Sequence, residues 1–154
     1  MTNQEAAGVI FSIASLLESL GANPYRIRAY RRAALGMLRL PEPARAYANA
    51  DGELELPWLG TRLRRKLGEL VTRGRMQFHD EVLAELPSDV RELIAVPGVG
   101  PKTAERLVRE LDVHSIRQLA QAAREGRLQT MRGIGHLREQ RLGDAAAALL
   151  TAAA

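Results

Sequence analysis

One twelve-residue pattern occurs three times in this chain and constrains its fold more than any other feature. The copies are Leu56-Pro57-Trp58-Leu59-Gly60-Thr61-Arg62-Leu63-Arg64-Arg65-Lys66-Leu67, Val96-Pro97-Gly98-Val99-Gly100-Pro101-Lys102-Thr103-Ala104-Glu105-Arg106-Leu107 and Met131-Arg132-Gly133-Ile134-Gly135-His136-Leu137-Arg138-Glu139-Gln140-Arg141-Leu142. In each, positions one, four and twelve are apolar, position five is glycine and position eleven is basic. Agreement at that level is far more specific than a lone pair of glycines. Glycine permits positive φ and close backbone approach, and a proline such as Pro101 suits the first position of a helix. Each copy is therefore expected to form a hairpin that runs into a helix N-terminus. Ordinary helix-helix turns with glycine C-caps would explain the glycines but not the repeated cation.

A helix start presents unpaired N–H groups at the positive end of the macrodipole, which is a site for an anion. With arginine and lysine alongside, the expected anion is the phosphate of a nucleic acid, held without reading sequence. The expected contacts are Trp58, Gly60, Arg62 and Arg65 in the first copy, Gly98, Gly100, Lys102, Thr103 and Arg106 in the second, and Gly133, Gly135 and Arg141 in the third. Net charge is only +4, but 20 of the 22 basic residues are arginine, and the pI is about 10.1. Guanidinium groups suit phosphate. The absence of cysteine excludes disulfides and thiolate metal sites, and His79, His114 and His136 lack zinc-ligand spacing. The first 20 residues carry an apolar stripe broken by Glu5, Ser12, Ser15, Glu18 and Ser19, too polar to span a bilayer. A cytoplasmic, nucleoid-associated protein with no membrane partner is the expectation.

The 154 residues suffice for one domain or two small ones. Val9, Ile10, Ile13, Leu16, Leu17 and Leu20 recur at helical spacing after a cap at Asn3, and Gly21 ends the run. Asn23 then caps a helix through about Leu40, stopped by Pro41 and Pro43, and a short helix is expected over Ala44 to Asn49. An amphipathic stretch from Phe78 to Leu86 closes at Pro87-Ser88-Asp89, where Ser88 or Asp89 is expected to cap the next helix. Another helix covers about Ser115 to Arg124, and the last runs through Leu150. No segment alternates as a strand. The fold class is all-α: two small helical units, residues 1–86 and 87–154, around three helix-hairpin-helix motifs.

The run Asn23-Pro24-Tyr25-Arg26-Ile27-Arg28-Ala29-Tyr30-Arg31-Arg32-Ala33, followed by three hairpins, resembles the N-terminal region of family X DNA polymerases, the group that includes DNA polymerase beta. The first unit is similar to the family's small lyase domain, and the rest resembles its fingers subdomain and the third hairpin region of bacterial members. The resemblance implies DNA repair, with the first hairpin on the 5′-phosphate side of a gap and the second on the primer side. It also implies a monovalent cation, K+ or Na+, on main-chain carbonyls. These would be Leu54, Leu56 and Leu59 at the first hairpin and Ile94, Val96 and Val99 at the second. No cofactor is otherwise required. Gapped, nicked or 5′-phosphorylated duplex is the implied partner. A chain of this length has no room for the family's palm, so it is not expected to polymerise DNA alone, and a binding or scaffolding role would pair it with a separate polymerase or nuclease chain.

Lys66 falls where the family keeps its Schiff-base nucleophile, Arg26 and Tyr30 match family positions near the 5′-phosphate and sugar, and Tyr25 beside them is a further expected DNA contact. The resemblance thus implies lyase action by Lys66 on an abasic or 5′-deoxyribose-phosphate end. Arginine cannot replace it, because a guanidinium stays protonated. On a helix, Arg62 would favour the neutral amine that attacks and Glu69 would oppose it. The repeat offers a second reading, in which Lys66 is only the cation that Arg106 and Arg141 supply elsewhere. A non-enzymatic binding or scaffolding module is the corresponding alternative. Trp58 also has two readings. It stands where the family has glycine, and either packs into the domain or stacks on an exposed base.

Overall fold

In a computed structural model, residues Met1–Ala154 are all described, and the chain forms two compact units, Met1–Glu85 and Leu86–Ala154. The first unit contains α1 (Asn3–Ser19), α2 (Pro24–Leu38), a 3₁₀ turn (Ala44–Tyr47), α3 (Thr61–Arg73) and α4 (Gln77–Ala84). The second contains α5 (Ser88–Ile94), α6 (Pro101–Leu111), α7 (Ile116–Arg124), a 3₁₀ turn (Leu128–Thr130) and α8 (His136–Ala153). The fold is all-helical; an isolated antiparallel bridge pairs Ala48 with Leu54.

The apolar positions of the repeat hold all three hairpins in their cores. Leu56, Leu59, Leu67, Val96, Val99, Leu107, Met131, Ile134 and Leu142 are all buried. The turns close alike: the position-four amide donates to the position-one carbonyl at 3.0, 3.0 and 3.2 Å in the three copies. Only the second copy has a full α-helix on both sides. In the other two the leading helix is a single 3₁₀ turn, because the prolines and the Asp51-Gly52 turn leave too few residues before hairpin one, and Gly126 (φ +71°) ends α7 just before hairpin three.

The apices differ. Gly98 and Gly133 have φ of +90° and +89°, the left-handed value that the third position of a type II turn requires, after Pro97 in one copy and Arg132 in the other. Trp58 is not among the residues with positive φ, so hairpin one closes the same hydrogen bond with its apical peptide in another orientation.

Two cap assignments need correcting. Thr2, not Asn3, caps α1: its hydroxyl accepts from Glu5 N–H and the Glu5 carboxylate accepts from Thr2 N–H, a capping box. The Asn3 side chain instead donates to the Glu42 carbonyl (2.9 Å) and accepts from Ala44 N–H (2.7 Å), pinning the proline loop. At α5 the cap position belongs to Pro87; Ser88 is already helical, and Asp89 accepts from its neighbour Val90 N–H at 2.8 Å.

Asp89 has a further partner. His114 Nδ1 lies 2.8 Å from Asp89 and Nε2 lies 2.6 Å from Asp112, so both ring nitrogens face carboxylates and the imidazolium is favoured. The hydrogen bond to Asp89, then that to Asp112, raises the His114 pKa above 6.5, and the bond to His114 lowers that of Asp89 below 3.8. The histidine's contribution to stability is therefore complete below about pH 6.5 and fades as pH rises through its raised value. The aspartate's contribution is complete above its ordinary value and fades as pH falls through its lowered one. Melting temperature is expected to decline as pH rises above about 6.5 and through the raised His114 value, and His114→Gln to flatten that limb. An unchanged profile in the variant would assign the slope elsewhere.

Candidate nucleic-acid interface

The three hairpin helices begin differently from the others. α1, α2 and α7 are capped by side chains of Thr2, Asn23 and Ser115. α4 and α5 have a carboxylate on a first-turn amide, Glu69 on Gln77 N–H at 3.3 Å and Asp89 on Val90 N–H at 2.8 Å. α3, α6 and α8 begin at Gly60, Gly100 and Gly135 in extended conformation, with no side-chain cap hydrogen bond. A Cβ on any of these glycines would meet nothing within 4 Å. The chain thus leaves bare the three helix starts that its repeat constructs, where an anion gains from both dipole and donors.

In the first unit, α2 and α3 enclose a cleft of about 350 Å³ whose lining includes Tyr25, Arg26, Tyr30, Arg62 and Lys66. Spacing explains the pairing: 26 and 30 are one turn apart on α2, as are 62 and 66 on α3. Tyr25 stands at the rim, 75% exposed, with the Arg28 guanidinium 4.6 Å from its ring centre. Tyr30 is only 2% exposed and stacks on Phe78 at 5.9 Å between ring centres. It serves as floor rather than as a direct grip. Burial raises its pKa, so it remains a neutral phenol.

Lys66 Nζ sits 3.6 Å from the centre of the Phe78 ring, and the Arg26 guanidinium sits 4.8 Å from the same ring. The ring face attracts the ammonium form. Burial acts against it, and so do the charges of Arg26 and Arg62; together they lower the Lys66 pKa, with Glu81 opposing. Glu69, the expected opponent, instead accepts from Gln77 N–H at 3.3 Å. Phe78 was missed in the sequence because nothing local marks it: it comes from α4, and only tertiary packing brings it to α3.

Other expected contacts lie elsewhere. Arg65 faces a separate polar cavity of about 460 Å³, whose lining includes Asp51, Glu53, Glu69 and Arg73. Trp58, 46% exposed, lies over Gly36 of α2. The Leu59 carbonyl accepts from Arg64 Nε at 3.1 Å, and that of Leu56 accepts from Leu59 N–H. Leu54 N–H donates to the Arg64 carbonyl at 3.1 Å. At hairpin two, the Val96 carbonyl accepts from Val99 N–H at 3.0 Å, and Ile94 is half-buried at the end of α5.

In the second unit, hairpins two and three are fastened together. Arg138 donates to the Gly133 carbonyl and to Thr103 Oγ1, both at 3.3 Å, while Arg106 donates to the Arg132 carbonyl at 2.9 Å. Arg106 also pairs with Glu110 at 3.1 Å. Its position-eleven cation is thus engaged in holding the tandem, whereas Arg141 is exposed on α8; Lys102 lies at the surface in the first turn of α6. Position eleven of the repeat does not have one role.

Comparison with known proteins agrees with this architecture. The helix-hairpin-helix domain family matches residues 1–76, and the SAM-like helix-hairpin-helix tandem family matches residues 90–148. The DNA polymerase/3′-5′ exonuclease PolX of Bacillus subtilis (strain 168) is 25% identical over 142 residues, 92% of this chain. The chain is a relative of the N-terminal region of family X DNA polymerases. It spans 24% of the length of that PolX. The two helix-hairpin-helix matches cover all three repeats, and the tandem match falls on the hairpins that Arg106 and Arg138 tie together. No helix is long and apolar enough to cross a membrane.

Proposed function

We propose that this chain binds DNA through its sugar-phosphate backbone at gaps, nicks or 5′-phosphate ends, and that Lys66 acts there as a lyase. The observation that supports the binding is the trio of glycine-started helices without side-chain caps, set among arginines. The kinship with a polymerase of the family supports DNA as the partner. The lyase reading rests on a lysine that burial and two guanidiniums push toward the neutral amine.

The chemistry balances without a cofactor. The Lys66 Nζ lone pair attacks the C1′ aldehyde of an opened abasic sugar, water leaves, and an imine forms. Loss of a C2′ proton to water then expels the 3′ phosphate by β-elimination, breaking the C3′–O bond. A second water hydrolyses the imine and frees the amine. Arg26 and Arg62 hold the 5′ phosphate and depress the Lys66 pKa, while Tyr30 and Phe78 form a floor that limits water.

Replacing Gly100 by aspartate tests the phosphate grip. Asp is as good an N-cap as any residue, the backbone there (φ −89°, ψ 175°) accepts it, and its Cβ meets nothing. Fold stability should hold or rise slightly, while affinity for gapped duplex falls about tenfold, because a carboxylate occupies the amides and repels phosphate. Wild-type affinity should drop steeply with salt and vary little with sequence. Unchanged affinity in Gly60→Asp, Gly100→Asp and Gly135→Asp alike would reject the helix-start mechanism.

A further inference from the structure

The face of α2 that carries Tyr25 and Ala29 continues, at helical spacing, through Arg32, Gly36 and Arg39. There it meets Trp58 and forms a second groove, about 530 Å³, lined by Arg32, Leu35, Gly36, Arg39, Leu40 and Trp58. A Cβ at Gly36 would collide with Cζ3 and Cη2 of the indole, so the glycine is what lets the ring lie down on the helix. The ring is nonetheless 46% exposed, and Leu35 beside it is 45% exposed. The lining holds two guanidiniums and no carboxylate, unlike the Arg65 cavity with its three acidic residues.

From the indole, flanking guanidiniums and shared helix face, we infer that Trp58 is a stacking platform for one unpaired nucleobase, with Arg32 and Arg39 holding its flanking phosphates. An aromatic face takes any base, and arginine supplies the charge complement of the backbone. Gly36 lies seven residues beyond Ala29, roughly 10 Å along the helix axis. That spacing sets the platform one or two nucleotides from the Lys66 cleft, so the unpaired base belongs to the single-stranded part of a gap. The assignment rests on the DNA-binding reading above and adds a preference for gapped over nicked or blunt duplex.

Trp58 is the sole tryptophan, so indole emission, excited at wavelengths the three tyrosines do not absorb, reports this groove alone. Two gapped duplexes are titrated against the full chain, one with normal bases in the gap and one with abasic tetrahydrofuran spacers of equal length, while anisotropy of a labelled strand reads binding. Normal gaps are expected to quench the indole and to bind about five- to 150-fold tighter than spacer gaps. Trp58→Ala should equalise the two, with circular dichroism confirming its fold. Equal quenching and equal affinity for both duplexes in the wild type would overturn the platform and leave backbone binding standing. Absence of anisotropy change with either duplex would overturn the DNA-binding reading, and the platform with it.

Discussion

Lys66→Arg is expected to abolish borohydride-trapped adducts on 5′-deoxyribose-phosphate DNA, a fall of roughly a hundredfold or more, while affinity for the same DNA changes little. The substitution keeps the positive charge in the cleft and removes the only group there that can form an imine. Arg26→Ala and Arg62→Ala should act more subtly. Each removes a charge that lowers the Lys66 pKa, so less neutral amine is present near pH 7 and trapping slows. Raising the pH should restore the part lost to protonation of Lys66 but not the part lost with the phosphate grip, whereas no pH restores any trapping in Lys66→Arg. An adduct that survives Lys66→Arg would place the nucleophile elsewhere and reduce Lys66 to a phosphate contact.

Gly68→Ala should be the most damaging single methyl in the first unit. Gly68 is buried in α3, where its added Cβ would collide with the Gly52 carbonyl oxygen and stand 3.0 Å from Glu53 Cα. Both obstacles are backbone, and that backbone is tied down. Asn49 Oδ1 accepts from Asp51 and Glu53 N–H at 3.0 Å each, and Gly52 N–H donates to the Asn49 carbonyl at 2.9 Å. Alanine gains about 1 kcal/mol of helix propensity, but lifting the loop costs more, for a net loss of about 1–3 kcal/mol. Gly8→Ala in α1 is the control, since its Cβ meets nothing, and it should stabilise by about 0.5–1 kcal/mol. Urea midpoints of the two variants should move in opposite directions. A neutral Gly68→Ala would mean that the 49–53 loop yields freely.

The same contrast shows why some features could be read from the sequence and others could not. The nine apolar anchors were legible because burial at a hairpin follows local spacing, and the glycine starts of α3, α6 and α8 followed from the repeat. Asn23 and Ser115 cap as their residue type suggests, but Asn3 and Thr2 are both competent caps. The proline loop at Glu42 and Ala44, 39 and 41 residues on and unseen in local pattern, claimed Asn3. Arg106 and Arg141 share a repeat position, yet Glu110 and the Arg132 carbonyl engage only the first. The Lys66 cleft was legible as to α2 and α3, whose one-turn spacing is local, and illegible as to Phe78. Gly98 carries two constraints, since its φ of +90° and Leu142 Cδ2 at 3.1 Å from a would-be Cβ make valine there a folding defect. Gly100, whose constraint is only open space, is the cleaner probe of binding.

Hairpin one closes without a left-handed residue, and that releases position 58 from the rule that holds 98 and 133 to glycine. Its apex can carry a bulky side chain with no conformational penalty, so chemistry can be exchanged there without rebuilding the turn. Of the three copies, only this one is free to diversify at its tip while keeping the scaffold it shares with the others.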